Sequence, residues 1–302
     1  MIALSIQSRP VAGIILALLA AISYAGVPNF ARLAFLNGVP ALETVFYRTT
    51  ALAIILGIVA LLRRENFALP RAAVIPFLLQ CLATVLVSAC YLASLQYLPV
   101  TLAVVIFYTF PVIVLLASPL VEGHMPQWSR FAVAGLGFAG LFVAIGPAFE
   151  HINSLGLVLA GLGSVGCALQ FFSGRLLAQH LQPAAFGSLV HITILPVILA
   201  LAVYFGDGNL ALVSSNGVGP YAIGAVVLVC LCYLGGYFCH MSSVKAAPAS
   251  IVAPFFNLEP VLSTTIAVLL LKETMTQTQW TGGAIVLASL FIASILPIRT
   301  KA

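Results

Sequence analysis

Long apolar blocks fill this chain, and brief polar or Gly/Pro-marked breaks separate them. The blocks cover residues 11–35, 40–62, 72–97, 100–120, 129–147, 154–178, 184–206, 218–245, 249–271 and 280–298. A helix of about 20 apolar residues crosses a bilayer core, and each block meets that length. The pattern predicts an all-α integral membrane protein with ten transmembrane helices.

The order of blocks and breaks occurs twice. A shift of 143 carries Arg32 onto Arg175, Pro40 onto Pro183 and Arg48 onto His191. A shift of 149 carries Ser94 onto Ser243, Pro99 onto Pro248, Phe107 onto Phe256 and Pro111 onto Pro260. After a short N-terminal segment, 1–10, the chain divides into two five-helix repeats, 11–147 and 154–298. An odd number of spans per repeat places the copies in the bilayer with opposite orientation. Inverted repeats around a central cavity are the architecture of secondary transporters.

Composition sharpens this reading. Hydrophobic residues make up 62% of the 302 and charged ones 6%, whereas soluble domains carry about 25% charged residues. Little chain remains outside the blocks to form a soluble domain. Arg9 precedes an apolar run as in a signal peptide, but the nine later blocks make the first a retained helix. The net charge of +5 does not point to nucleic acid. With the N-terminus in the cytoplasm, the inner segments hold Arg9, Arg63, Arg64, Arg71, Arg130, Arg175, Lys245, Arg299 and Lys301. The outer side holds Arg32 and Lys272, and Arg48 lies within the second span. This positive-inside bias sets both termini in the cytoplasm of a multi-pass protein of the inner (plasma) membrane. All six cysteines fall inside spans, where they read as small packing residues. Gly135/Ala139 and Ala284/Ala288, small residues one turn apart in the fifth and tenth spans, predict a packing or dimerising role there rather than contact with a substrate.

An enzyme is a poor reading. The one aspartate, Asp207, falls in an outer loop, and neither a P-loop nor a His-Glu-x-x-His pair occurs. Ser88 has no base recognisably arranged around it. No metal or cofactor is implied.

The polar residues inside the spans form stripes. Gln80, Thr84, Ser88 and Tyr91 recur at steps of 4, 4 and 3, one face of a helix. The shift of 149 carries Thr84, Ser88 and Tyr91 onto Tyr233, Tyr237 and His240. Thr101 and Tyr108 map likewise to Ser250 and Asn257, while Tyr24, Asn29 and Gln170, with Phe171 beside it, come from the first and sixth spans. Polar groups are costly against lipid, so these faces turn inward. They serve either interhelical hydrogen bonding or a shared central cavity, and the repetition favours the cavity. Its candidate substrate-binding residues are Tyr24, Gln80, Thr84, Ser88, Tyr91, Tyr108, Gln170, Tyr233, Tyr237, His240 and Asn257. Rich in phenol and amide groups and poor in charge, it suits a neutral, zwitterionic or aromatic solute.

Glu259 is the one carboxylate placed well inside the membrane, either as a proton carrier or as a lock on the helix around Pro260. Arg48 is expected to snorkel outward or pair with Glu43 or another carboxylate, in a structural role. His191 reads as a satisfied interior histidine, and His240 as a cavity residue and second candidate for proton coupling.

The segments Tyr108–Trp128 and Asn257–Trp280 resemble the two repeats of the drug/metabolite transporter superfamily, EamA type. The shared pattern is an apolar helix from Pro111 or Pro260, an acidic turn at Glu122 or Glu273, and Trp128 or Trp280 opening the last helix. The first copy departs in reading Glu122-Gly123 where Gly-Glu is usual. The resemblance implies a pathway surrounded by spans 1, 3, 4, 6, 8 and 9, and export of amino acids or small metabolites. The tyrosine-rich lining suggests aromatic-amino-acid exporters of the YddG type. Lipid and a small-molecule solute are the expected partners, and a monomer the expected working unit.

Two related functions fit less well. Small multidrug antiporters need a glutamate in the first span, and residues 11–35 contain no carboxylate. Phosphate-bearing substrates need cavity lysines or arginines, and the three lysines lie near span ends or in a tail. A proton-driven multidrug exporter and a non-transporting structural or receptor protein remain as alternatives.

Overall fold

A computed structural model describes residues 9–94, 97–98, 103, 106–123, 127–145, 153–205, 210, 219–271 and 276–296. Asp207, Thr101, Glu273, Lys272, Arg299 and Lys301 lie outside the described residues, as does most of segment 1–10. All regular structure among the described residues is helical. The principal helices are α1 (Pro10–Leu36), α2 (Ala41–Leu62), α3 (Arg71–Ser94), α4 (Phe110–Val121) and α5 (Trp128–Ile145). They continue with α6 (Ser154–Leu177), α7 (Pro183–Phe205), α8 (Pro220–Ala246), α9 (Leu258–Leu271) and α10 (Gln277–Ile295). A short helix, Ala249–Val252, and a 3-10 segment, Ala253–Asn257, lead into α9. Among the described residues six helices, α1, α2, α3, α6, α7 and α8, are long and apolar enough to cross a membrane.

The breaks in the sequence set the helix ends. Pro10, Pro183 and Pro220 open α1, α7 and α8, at the position where a missing N–H is harmless. Asn153 caps α6, its Oδ1 accepting from the N–H groups of Leu155 and Gly156. Arg64, with φ of 54°, terminates the turn after α2. Large apolar side chains such as Ile58, Leu62, Val227 and Leu231 stand on the outer surface, facing where lipid would be. The interior holds alanines, aromatic rings and polar groups alongside aliphatic side chains such as Leu52, Leu115 and Ile198.

The helices pair in an orderly way. α1 packs along α8, and α3 along α6. α2 packs on α7 and α5 on α10, while α1 also meets α9 and α6 meets α4. Exchanging α1 with α6, α2 with α7, and so on to α5 with α10, maps this set of pairs onto itself. Side-chain bonds then tie one end of the bundle. Glu65 Oε2 accepts from Ala185 N at the start of α7 (2.8 Å), and Lys245 Nζ donates to Gln182 Oε1 (2.6 Å).

The contact between α5 and α10 does not use the small residues that the sequence singled out. Gly135 has open space around it, and Ala284 and Ala288 face outward. Gly140 makes the contact: a Cβ there would sit 2.9 Å from Val286 N and 3.0 Å from Gly282 O. Small residues occupy several successive faces of α5, so spacing alone did not identify the packed one. Gly140→Leu is expected to lower the melting temperature and folded yield sharply, since overpacking costs about 1–3 kcal/mol even where neighbours yield. Gly135→Leu should leave both nearly unchanged in a detergent melting assay.

Candidate functional site

The predicted residues gather into three adjoining groups. The first is a polar seam between α3 and α6. Ser173 Oγ donates to Gln80 Oε1 (2.6 Å), and Gln170 Nε2 donates to Thr84 Oγ1 (2.9 Å). Thr84 Oγ1 donates in turn to Gln80 O (2.8 Å), and Gln80 Nε2 reaches Met241 Sδ on α8 (3.6 Å). All four side chains of the seam are buried. Gln80, Thr84 and Gln170 therefore bond one another and Ser173, the interhelical role that the stripe left open. Buried polar groups of this kind hold a helix pair in register.

The second group is aromatic and sits where α1, α6, α8 and the 3-10 segment converge. His240 packs on Phe171 and Phe256, with ring centroids 4.3 and 4.8 Å apart. Tyr24 meets His240 edge-on at 6.2 Å and Phe256 at 6.4 Å. Phe110 of α4 stacks on Phe171 (5.4 Å) and brings Tyr108 to the same cluster (5.7 Å). Among the described residues His240 Nε2 is buried without a hydrogen-bond partner, and the Tyr108 hydroxyl is buried close to the Glu259 side chain. Tyr108 lies beside Glu259, which occupies the first turn of α9. Tyr91 stacks on Phe107 (4.3 Å) at the edge of this cluster.

The third group centres on a cation. Arg48 is buried, 5% exposed, and points into the bundle. Its Nη2 donates to Ser88 Oγ (3.0 Å), and its guanidinium carbon lies 4.1 Å from the Tyr233 ring centroid. The expected outward snorkel is therefore not what the side chain does. A neutral hydroxyl and a ring face receive it instead of lipid headgroups. Ser88 belongs to a π-helical turn, Leu86–Cys90, within α3. Such turns recur at functional sites because the extra residue re-aims the side chains around it. His191 Nδ1 lies 2.7 Å from Gly187 O, and its ring meets Tyr237 edge-on at 4.7 Å. Tyr233 joins this group to the second, 5.9 Å from Tyr24.

Two residues are drawn elsewhere. Asn257 directs its amide nitrogen toward Gly137 of α5, close to Ser289 of α10. Ser250 is held by the acidic turn after α4. Glu122 Oε2 accepts from Ser250 Oγ and its Oε1 from Ala249 N, both at 2.6 Å. Gly123 follows with φ of 71°, the left-handed conformation that lets the chain leave α4 as Glu122 turns back. The sequence flagged neither Ser173 nor Phe256 for the site. Ser173 lies one turn after Gln170, and that spacing was the available signal.

A cleft of about 670 Å³ opens at the tied end of the bundle, lined by Arg63, Arg64, His180, Gln182 and Lys245 among others. It lies about 22 Å along α2 from Arg48, by helical rise, and so is separate from the three groups. Among the described residues no three His, Cys, Asp or Glu side chains come together to hold a metal.

Comparison with known proteins adds the family and the fold. The sequence matches the EamA-like transporter family twice, over residues 11–146 and 154–295. A protein of known crystal structure superposes with a TM-score of 0.79 at 16% identity, over 94% of this chain and 97% of its own length. At that identity the likeness concerns the fold alone. No curated protein sequence matches the chain.

Proposed function

The chain belongs to the EamA-like transporter family, and from that premise we propose that it is a secondary transporter exporting small neutral or zwitterionic solutes, aromatic amino acids among them. The observation that carries this reading is the buried core to which α1, α6, α8 and the segment before α9 all contribute. Rings from both halves enclose polar groups there, among them His240 Nε2, which has no hydrogen-bond partner among the described residues. Aromatic faces suit an aromatic or apolar side chain, and the polar groups suit the ends of a zwitterion. Ten spans in two inverted repeats, 11–147 and 154–298, account for helix pairing that is preserved when the halves are exchanged. Rocking of one repeat against the other then gives alternating access. In this account both termini are cytoplasmic, and the ties at Glu65, Glu122 and Lys245 close the cytoplasmic end.

The transport is passive in this proposal. Glu259 stands in the first turn of α9, where a carboxylate favourably meets the helix N-terminus, as a structural lock would. Purified protein in vesicles preloaded with each of the twenty amino acids is expected to accelerate counterflow of the neutral ones, aromatic ones included. Glu259→Gln should exchange at a similar rate, with neither protein responding to an imposed pH gradient. Exchange no faster than in protein-free vesicles for every amino acid would refute the solute class. Concentrative uptake lost in Glu259→Gln would identify proton coupling instead.

A further inference from the structure

We infer that Arg48 and His191 form the two ends of a head-group subsite for an α-amino acid, with the carboxylate on Arg48 and the ammonium toward His191 Nε2 and the Tyr237 hydroxyl. This rests on the transport reading above and assigns its chemistry to named atoms. A guanidinium has five N–H donors in a planar fork matched to a carboxylate. In this structure Arg48 uses Nη2 on the neutral Ser88 hydroxyl and lays its face on Tyr233, while its Nε has no partner among the described residues. A cation this deep in a membrane protein is expensive to maintain without an anion, and such residues mark substrate or ion pathways. A carboxylate of the transported solute supplies that anion and a bidentate bond.

The opposite end offers acceptors. Gly187 O only accepts, so the hydrogen bond to His191 Nδ1 requires that nitrogen to carry the proton. Neutral His191 then presents Nε2 as a lone-pair acceptor, and Nε2 is buried without a partner among the described residues. The Tyr237 hydroxyl beside it is likewise buried, near the Gln80 side chain. Tyr233 lies between, 4.1 Å from the Arg48 guanidinium carbon and 5.9 Å from the His191 ring. Arg48 and His191 occupy matching positions of the two halves, on helices α2 and α7 that pack together. The repeat therefore places unlike groups, a donor fork and an acceptor, at related positions. A molecule with an anionic and a cationic end fits that pair. Tyr24, 5.9 Å from Tyr233, leads from this head-group position to the rings around His240, which would face the solute's aromatic side chain.

The test uses the full chain in vesicles with labelled L-phenylalanine in counterflow, competed by unlabelled L-phenylalanine or by L-phenylalaninol, which replaces the carboxylate by a CH2OH group. If the vesicles carry another amino acid instead, that amino acid and its alcohol take their place. Wild type is expected to prefer the amino acid to the alcohol at least tenfold. Arg48→Gln should lose at least tenfold in L-phenylalanine flux and lose the preference, while Arg48→Lys retains part of both. Ser88→Ala, which removes the hydroxyl that fixes the orientation of the guanidinium fork, should raise the half-saturating concentration severalfold. Equal competition by amino acid and alcohol in wild type overturns the subsite, whether or not the Arg48 variants fold. Retention of the wild-type preference in folded Arg48→Gln overturns it as well, because a purely structural arginine would alter yield or rate and leave the preference alone. Failure of wild type to exchange any amino acid removes the transport reading, and the subsite falls with it.

Discussion

Gly236→Leu is expected to lose transport at least tenfold and to lower the yield of folded protein. A Cβ on Gly236 would overlap the ring of Tyr24, with Tyr24 Cγ only 2.8 Å away. Atoms do not approach so closely, so either α1 and α8 separate or the ring swings out of the core. Separation disturbs the longest helix contact in the bundle. Swinging the ring away removes Tyr24 from Tyr233, His240 and Phe256, the contacts that join the cationic and aromatic groups. Overpacking typically costs about 1–3 kcal/mol, and here the proposed pathway is displaced as well. Gly224→Leu is the control on the same helix, because Gly224 is exposed with open space around it. Its melting temperature and counterflow rate should match wild type. Reduced flux from both variants alike would show that α8 tolerates no bulk anywhere and would remove the Tyr24–Gly236 contact as the reason.

Much of the fold was legible because a membrane helix is marked by length and punctuation. The blocks 11–35, 40–62, 154–178 and 184–206 differ from α1, α2, α6 and α7 by a residue or so at each end. Proline, asparagine and charged residues mark those ends in the sequence itself. In the block 100–120 the described residues Ala103, Ile106 and Phe107 are helical, a turn follows at Tyr108 and Thr109, and α4 runs on from Phe110. Partner choice was harder to read. The steps of 3 and 4 put Gln80, Thr84 and Ser88 on one face, but periodicity names no partner. Two of these bond to α6 and the third to Arg48. The π turn at Leu86–Cys90 has no residue signature, so the re-aiming of Ser88 was hidden.

Arg48 shows the same limit from another side. Its depth in the second span was visible, and so was its correspondence to His191. Whether a long cationic side chain runs outward or inward depends on what lies across the bundle. Tyr233 and Ser88 come from distant segments, and only the packed structure brings them to it. The same holds for Glu122, whose bonds to Ala249 and Ser250 cross from one half of the chain to the other.

That tie is where alternating access is most directly put to the test. Glu122 follows α4 and Ser250 precedes α9, so the two join the halves at one end of the bundle. If the halves rock to open that end, holding residues 122 and 250 together must stop transport. The six native cysteines are replaced first, and cysteines are then introduced at 122 and 250. A short bifunctional methanethiosulfonate reagent links them reversibly in vesicles. The account predicts amino-acid counterflow before linking, at least a tenfold loss after it, and recovery on reduction with dithiothreitol. Counterflow that continues at the unlinked rate while the link is intact would contradict alternating access through this end.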